Sequence, residues 1–484
     1  MSETDAKLDE AIRLLENARW DEAIVCLNQV LEVEPRRPEA LANLGMAHAE
    51  LGKLAAALPL YDAALRVDPR FIAAHYNRGN ALRELRRYEE AVAAYDSALR
   101  FQPNFFSAWL NRGLSLVKLG RLGEGIASYQ QALQLQPNSP EAVNNLGLAL
   151  QYLGRLEEAI ACFEAVVAQR PDWADPHCNL AQAWLLKGDF ERGWPEYEWR
   201  WKLRGRSLPP REIPNGDGSS LDGRSILLRC EQGAGDAIEF VRYAAKLKQA
   251  GARKVVLEAP SRLHRLLGTC VPIDEMISPD DAATDCDLQI PLLSLPRLLR
   301  TNFRTIPNYM PYLDAEPVRV KRWQSRLPKS KRRIGIAWQG NRDYPEDHLR
   351  SVPLAAFEPL AKLPGTKLVS LQVKDGTDQI IPLRDRVPLW EAGPELDADA
   401  AFIDSAAIMM SLDLIVTSDT SIAHLAGALG RPVWIVLAYS PEWRWFRDRD
   451  DSPWYPTARL FRQSRSGDWS ELFERIAQEL QTGE

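Results

Sequence analysis

Hydrophobic positions in the first two hundred residues fall into helical stripes, and the stripes recur at a fixed step. Prolines stand at 35, 69, 103, 137 and 171, each 34 residues after the one before. Between them one wording repeats: ALANLGMAHAELGKLAAALPLYDAALRVDP, AAHYNRGNALRELRRYEEAVAAYDSALRFQP, SAWLNRGLSLVKLGRLGEGIASYQQALQLQP. Gly45, Gly79, Gly113 and Gly147 give one helix of each unit a surface that its partner approaches closely. Ala23, Ala57, Ala91 and Ala159 supply the small residue on the other helix, with Gly125 in that place in the fourth unit. Tyr61, Tyr95, Tyr129 and Phe163 fill the space between units. Each unit leaves an apolar face that only the next can bury, so stacking is obligatory.

Five units are clear, ending near Pro171. A sixth begins at ADPHCNLAQAWLLKGDFERGWPEYEW, but no proline closes it. A repeat array otherwise ends in a polar cap, so Trp194, Trp199 and Trp201 predict docking onto a neighbouring domain.

The pattern changes after NGDGSSLDG (215–223), a polar, Gly-rich boundary. Short apolar runs then alternate with helical segments: SILLRC, a helix from about 236, KVVLEA, a helix from about 260, and DLQIPL. A Pro-rich connection, TIPNYMPYL, interrupts the series. It restarts with RRIGIAWQ, LAAFEPLAKL, TKLVSLQ, FIDSAAIMMSL, DLIVTS, SIAHLAGALG and VWIVLA. This alternation predicts two parallel, doubly wound units in tandem, with a cleft between the carboxyl ends of their sheets, where ligands of such folds sit. The expected division is 1–205 for the repeats, 206–221 for a linker, 222–312 for a first α/β half and 313–484 for a second.

Composition narrows the function classes. Hydrophobic residues at 45% and charged residues at 26% describe an ordinary globular chain. A net charge of −6 argues against a general nucleic-acid binder, which needs a basic footprint. The opening MSETDAKLDE has no apolar signal segment, and no run approaches the roughly 18 apolar residues of a membrane span. A cytoplasmic protein without a membrane span is expected. The six cysteines include no CxxC pair and the six histidines no HExxH. Buried thiols and no metal site are therefore expected.

The 34-residue wording resembles the tetratricopeptide repeat, a helix–turn–helix unit. In that family Asn43, Asn77, Asn111, Asn145 and Asn179, which recur at the same step, lie on the first helix towards the concave surface. An asparagine amide offers a donor and acceptors, enough to hold an extended peptide backbone without reading its sequence. The series resembles the asparagine ladder of O-GlcNAc transferase. The other reading is plain repeat consensus.

In DLIVTSDTSIAHLAGALGRPVWIVL (413–437) a buried strand ends at Ser418, and Asp419, Thr420 and Ser421 open a helix. Hydroxyls and free amides there suit a diphosphate at the positive helix end; simple N-capping is the alternative. With SLQVKDG (370–376) and RSVPL (350–354), the stretch resembles the nucleotide-sugar half of heptosyltransferase-type enzymes, glycosyltransferase family 9, whose architecture is the GT-B type. The resemblance implies donor contacts from Asp419 and Thr420, extended by position to Ser421 and His424. His424 is otherwise a core histidine. Arg350, before a helix, would neutralise the leaving diphosphate or else cap local carbonyls. Gln339 and Asn341 at a strand tip are further donor-binding candidates.

The turn RCEQGAGDAIEFVRY (229–243) begins like a dinucleotide fingerprint but lacks the third glycine. The resemblance implies that Asp236 is the catalytic base, taking the proton of the acceptor hydroxyl; the alternative is a helix cap. Trp443 and Trp445, in SPEWRWFRDRDDSPWYPTARLFRQ, are either packing between domains or stacking surfaces. The closing helix, DWSELFERIAQEL, is expected to cross back onto the first half, as in related folds.

Together these readings predict an all-α TPR superhelix followed by an α/β GT-B-type pair of Rossmann-like domains. The expected activity is a metal-independent glycosyltransferase. It would move a sugar from a nucleotide-sugar to a hydroxyl of an acceptor protein bound in the repeat groove, with no cofactor beyond the donor substrate. Transfer to a lipid or surface polysaccharide, and a non-catalytic scaffold with a degenerate transferase domain, are the alternatives.

Overall fold

The structure is a computed structural model and describes residues 2–216, 218–281, 285–344 and 347–482. The chain forms two compact units, one ending at Asp172 and the other beginning at Trp173.

The first unit is a series of antiparallel helix pairs, from Glu3–Glu16 with Trp20–Val33 to Pro140–Tyr152 with Leu156–Gln169. Each pair closes around the small residues of the repeat. Tyr61, Tyr95, Tyr129 and Phe163 are buried against Gly45, Gly79, Gly113 and Gly147. The second helices begin without a side-chain cap. In four of them the arginine before the helix instead forks onto a glutamate three residues on: Arg19–Glu22, Arg87–Glu90, Arg121–Glu124 and Arg155–Glu158.

The glycine contact yields a sharp expectation. A Cβ on Gly113 would stand 2.5 Å from the Tyr129 ring, which is 1% exposed, whereas one on Gly123 meets nothing within 4 Å. Overpacking of this kind costs about 1–3 kcal/mol. Gly113→Val should therefore lower the thermal midpoint of helix loss followed by circular dichroism, and Gly123→Ala should hold or raise it. Equal midpoints for the two variants would remove the close approach from the account of the fold.

The second unit opens with the sixth helix pair, Ala174–Lys187 and Phe190–Tyr197. Trp194 is buried and donates from Nε1 to the Thr301 carbonyl at 3.0 Å; its ring meets Trp443 edge-on at 5.3 Å. Docking by the tryptophans thus rests on Trp194. Trp199 stacks on His177 of its own pair at 3.6 Å, and the Arg200 guanidinium lies over the Trp201 ring at 4.7 Å.

Two parallel sheets follow. The first joins β1 (Ser225–Arg229), β2 (Lys254–Glu258), β3 (Glu275–Ile277) and β4 (Leu288–Pro291) in the order β3-β2-β1-β4. The second joins β5 (Arg332–Ala337), β6 (Thr366–Ser370), β7 (Leu389–Trp390), β8 (Leu414–Ser418), β9 (Val433–Leu437) and β10 (Ala458–Arg462), in the order β10-β9-β8-β5-β6-β7. Strands β1 and β8 are buried along their whole length, as parallel strands covered on both faces must be. The direction in which successive strands are added reverses between β1 and β4 in the first sheet and between β5 and β8 in the second. Those are the switch points at which loops diverge and leave a crevice.

Part of the segment expected as a linker, 206–221, is built into the first sheet. Ile213 packs with Leu227, Val256 and Ile277. Asn215 bridges to Gln289, and Arg211 pairs with Glu258 at 2.7 Å. The closing helix, Trp469–Thr482, differs from expectation. Its Phe473, Ile476 and Leu480 join Ile334, Phe357 and Leu368 in the core of the second sheet, and Arg332 donates to the Leu480 carbonyl. Its apolar stripe is satisfied by its own half.

Candidate functional site

Strand β1 ends in Cys230-Glu231-Gln232 and turns through Gly233 into the short helix Ala234–Phe240. Asp236 accepts from the Gly233 amide at 2.9 Å, so the capping reading of this residue is realised. Its other carboxylate oxygen accepts from Arg444 Nη2 at 2.6 Å. Glu239, three residues on and fully buried, accepts from Arg444 Nε. The third guanidinium nitrogen, Nη1, donates to Glu442 at 2.6 Å, and the Arg444 amide donates to the same carboxyl at 2.9 Å. One arginine from the loop after β9 thus joins three carboxylates, two of them on the helix that follows β1.

The guanidinium lies over the rings of Trp443 at 4.2 Å and Phe240 at 5.4 Å. Trp443 and Trp445 are 2% and 0% exposed, so both serve as packing. Arg242, wholly buried, donates to the carbonyls of Glu239, Pro307 and Trp454 and to Tyr312 Oη, which closes the floor beneath the cluster.

Across from this turn, β8 ends at Ser418 and the helix Ser421–Ala428 begins. Thr420 occupies its N-cap position, yet no side chain there caps the helix. The hydroxyl of buried Ser418 also lacks a partner. The expected alternative of plain N-capping by Asp419 or Thr420 is therefore not what the side chains do. Gly235 abuts this helix start: a Cβ on it would lie 3.1 Å from His424 and 3.4 Å from Ser421 Oγ. Glycine is needed here because the two turns touch.

His424 is buried and its Nδ1 lies 2.9 Å from Tyr455 Oη. Burial, reinforced by the cations Arg444, Arg242 and Arg350, holds its pKa well below the usual value, so the imidazole is neutral. It offers no positive charge to an anion.

The acids move the other way. Burial raises Asp419, against the pull of Arg350 and Arg444. Burial also raises Glu239 and takes Glu442 up to about 8, with Asp419 and Glu239 adding repulsion. Glu442 nonetheless keeps a third of its side chain exposed, which makes it the open member of the group. Among the described residues, no group of three or more His, Cys, Asp and Glu side chains is arranged to hold a metal ion.

The loop after β5 gathers the remaining donor-side candidates. The Gln339 amide donates to Gln372, and its side chain links Asp347 at 3.4 Å and Gln379 at 3.2 Å. Asn341 is exposed and accepts from the Asp343 amide at 2.9 Å. Arg350 donates to buried Asp347 at 3.2 Å and lies over the Tyr344 ring. The structure thus gathers Gln339, Asn341 and Arg350 around one loop and Asp419 to His424 around another, at the two sides of the β5/β8 switch point. Asp236 faces the second from the first sheet.

The asparagines keep their periodicity: all five are half-buried on the first helix of a pair. Asn111 donates to Tyr76 Oη at 3.1 Å and to Asn80 at 2.9 Å, tying one repeat to the next. Sequence reasoning did not find Arg444, Glu239 or Glu442. Glu239 was open to it, since a position three residues after Asp236 shares its helix face.

Two tetratricopeptide-repeat family models match the chain, one over residues 8–71 and 76–140, the other over 116–192. They make the first part of the chain a tetratricopeptide-repeat array and support a role in protein interaction. Protein FlbA of Caulobacter vibrioides is 26% identical over 327 residues, which cover 62% of this chain and 54% of that protein. The match spans about half the length of that relative. Among solved structures, the TPR protein YrrB shares 26% identity, covering 37% of this chain and 92% of its own, with a TM-score of 0.33. PilF of Pseudomonas aeruginosa shares 20%, covering 42% and 93%, with a TM-score of 0.38. No helix of the described residues is long and apolar enough to cross a membrane.

Proposed function

We propose that the second unit is a GT-B-type glycosyltransferase that moves a sugar from a nucleotide-sugar to a hydroxyl of a protein recruited by the repeats. The observation that carries this reading is the meeting of two switch-point turns. The Gly233–Asp236 turn after β1 lies against the uncapped start of the helix Ser421–Ala428 after β8. Two doubly wound sheets that present their carboxyl-end turns to each other suit a reaction between ligands held by each half.

On this reading the free amides opening the helix Ser421–Ala428 take a diphosphate, aided by the helix dipole. Arg350 supplies the charge that leaving nucleotide diphosphate requires. Asp419 holds a ribose hydroxyl, which donates to a carboxylate oxygen at the end of β8. Asp236 takes the acceptor proton. Its bond to Arg444 holds one oxygen in place, and the acceptor hydroxyl must share that oxygen or displace the Gly233 amide.

The test is a screen of UDP, GDP, ADP and CMP and their sugars against the full chain. One nucleotide should raise the melting temperature, because a ligand at a hundred times its Kd adds about 2.7 kcal/mol. The matching sugar donor should be hydrolysed slowly. If no nucleotide shifts the melting temperature, the transferase reading fails and the scaffold reading stands. Intact-mass analysis of candidate proteins after incubation separates protein acceptors from lipid or polysaccharide ones.

A further inference from the structure

The sixth helix pair does more than dock. Its carboxyl end continues as a single 3-10 turn, Glu198–Lys202, which reaches the carboxyl end of β1. There a cavity of about 310 Å³ opens between this turn, residues 205–207 and the Glu231-Gln232 stretch. Its floor is the buried pair of Arg200 and Glu231, joined by two bonds of 2.8 and 2.9 Å. Arg200 donates as well to Glu198 at 2.9 Å and to Ser294 at 2.8 Å. The floor is thus fully engaged and offers a ligand no free charge.

The mouth is different. Arg206 lines it, is exposed, and its guanidinium has no hydrogen-bond or ion-pair partner among the described residues. Ser207 and the Gln232 amide line the same opening, and Trp201 forms a wall. Lys202 and Arg204 are exposed beside it, so three cations stand within five residues. A run of basic residues alone would be a solvated face. Here Arg206, alone of the three, lines a recess, and the residue after Gln232 is Gly233, whose amide donates to Asp236.

Size decides what fits. Pockets for small molecules start at about 300 Å³, so this one holds a side chain or a single ring and excludes a nucleotide-sugar. An unpaired guanidinium beside a hydroxyl and an amide selects a carboxylate, which takes two parallel bonds from the fork.

The geometry points to this cavity as the seat of an acidic side chain of the acceptor polypeptide, held close to the hydroxyl that reaches Asp236. The inference rests on the transferase reading above and adds a recognition rule to it: an acceptor hydroxyl flanked by Asp or Glu. The Arg206 guanidinium at the mouth favours such a segment over a neutral one before any transfer takes place.

Labelled Ala-rich peptides with one serine flanked on both sides by Glu, or by Gln, are to be titrated against the full chain by fluorescence anisotropy, without donor. The Glu peptide should bind about tenfold tighter, the effect of one charge-assisted bond, and added salt should erode the difference. Arg206→Ala should abolish the preference, and Arg206→Glu should turn it towards a Lys-flanked peptide. Arg206 is exposed and unpartnered, so these variants keep the wild-type melting temperature, which serves as the folding control. Equal affinity for the two peptides, or a preference that survives Arg206→Ala, overturns the proposal. So does displacement by D-glucuronate with no response to either peptide, which would make the cavity a sugar-acid site. Because no donor is present, a failed nucleotide screen with intact charge preference removes the catalytic reading, and the reverse outcome removes only this one.

Discussion

Arg444→Met should cost about 3–5 kcal/mol of stability at pH 8, the loss expected when one partner of a buried ion cluster is removed. The side chain is 8% exposed and bonds Asp236, Glu239 and Glu442. Methionine fills much of the volume, so the loss is mainly electrostatic. Its pH dependence follows from the acids left behind. Glu442 titrates near 8 in the folded protein against an ordinary value of 4.5, and burial raises Glu239 also. An acid with a raised folded pKa binds its proton more tightly folded than unfolded. Its contribution is therefore full below the ordinary value and is lost as pH rises towards the folded one. Wild type and variant should both weaken from pH 5 to 8, and the gap between them should widen above pH 8, where the wild-type Glu442 gives up its proton beside Arg444 and the variant's has no cation to help it do so. Arg444→Lys should recover part of the loss, because an ammonium cannot reproduce the three-way fork. Urea unfolding at about pH 7 and about pH 9.5 measures both effects; a loss that is the same at the two pH values would refute the electrostatic account.

Asp236→Asn should lower sugar transfer by a factor of about 10²–10⁴, the usual contribution of a positioned proton acceptor. Asparagine keeps an oxygen for the Gly233 amide, so the turn survives, and the proposed donor site around the helix Ser421–Ala428 is untouched. The nucleotide-induced rise in melting temperature should stay at its wild-type size while transfer falls. If donor binding disappears along with transfer, Asp236 is a structural member of the Arg444 cluster and the proton acceptor lies elsewhere, with Glu442 the first alternative by its exposure and its raised pKa.

What could be read from the sequence divides along a physical line. The repeats were legible because each buries its surface on an identical neighbour, so the constraint returns every 34 residues as proline, glycine and aromatic at fixed offsets. The parallel strands were legible as apolar runs, since β1 and β8 are covered on both faces. The two turns at Asp236 and Asp419 were legible as polar residues at the junctions of strand and helix. Arg444 was not. It sits among tryptophans that drew the reading towards stacking, and its bond to Asp236 spans 208 residues. No local period encodes such a contact. The fate of the closing helix was hidden for a related reason: its apolar stripe shows that it packs, but not on which half.

The division after Asp172 has a practical side. A gene cut at residue 205, where the repeat wording gives out, would strip the α/β part of Trp194 and leave Thr301 and Trp443 facing water. A cut before Trp173 keeps that packing whole. The stretch ahead of Trp173 then becomes an exchangeable cartridge, and under the proposed transferase function a different set of repeats spliced at that point should bring that chemistry to a new client.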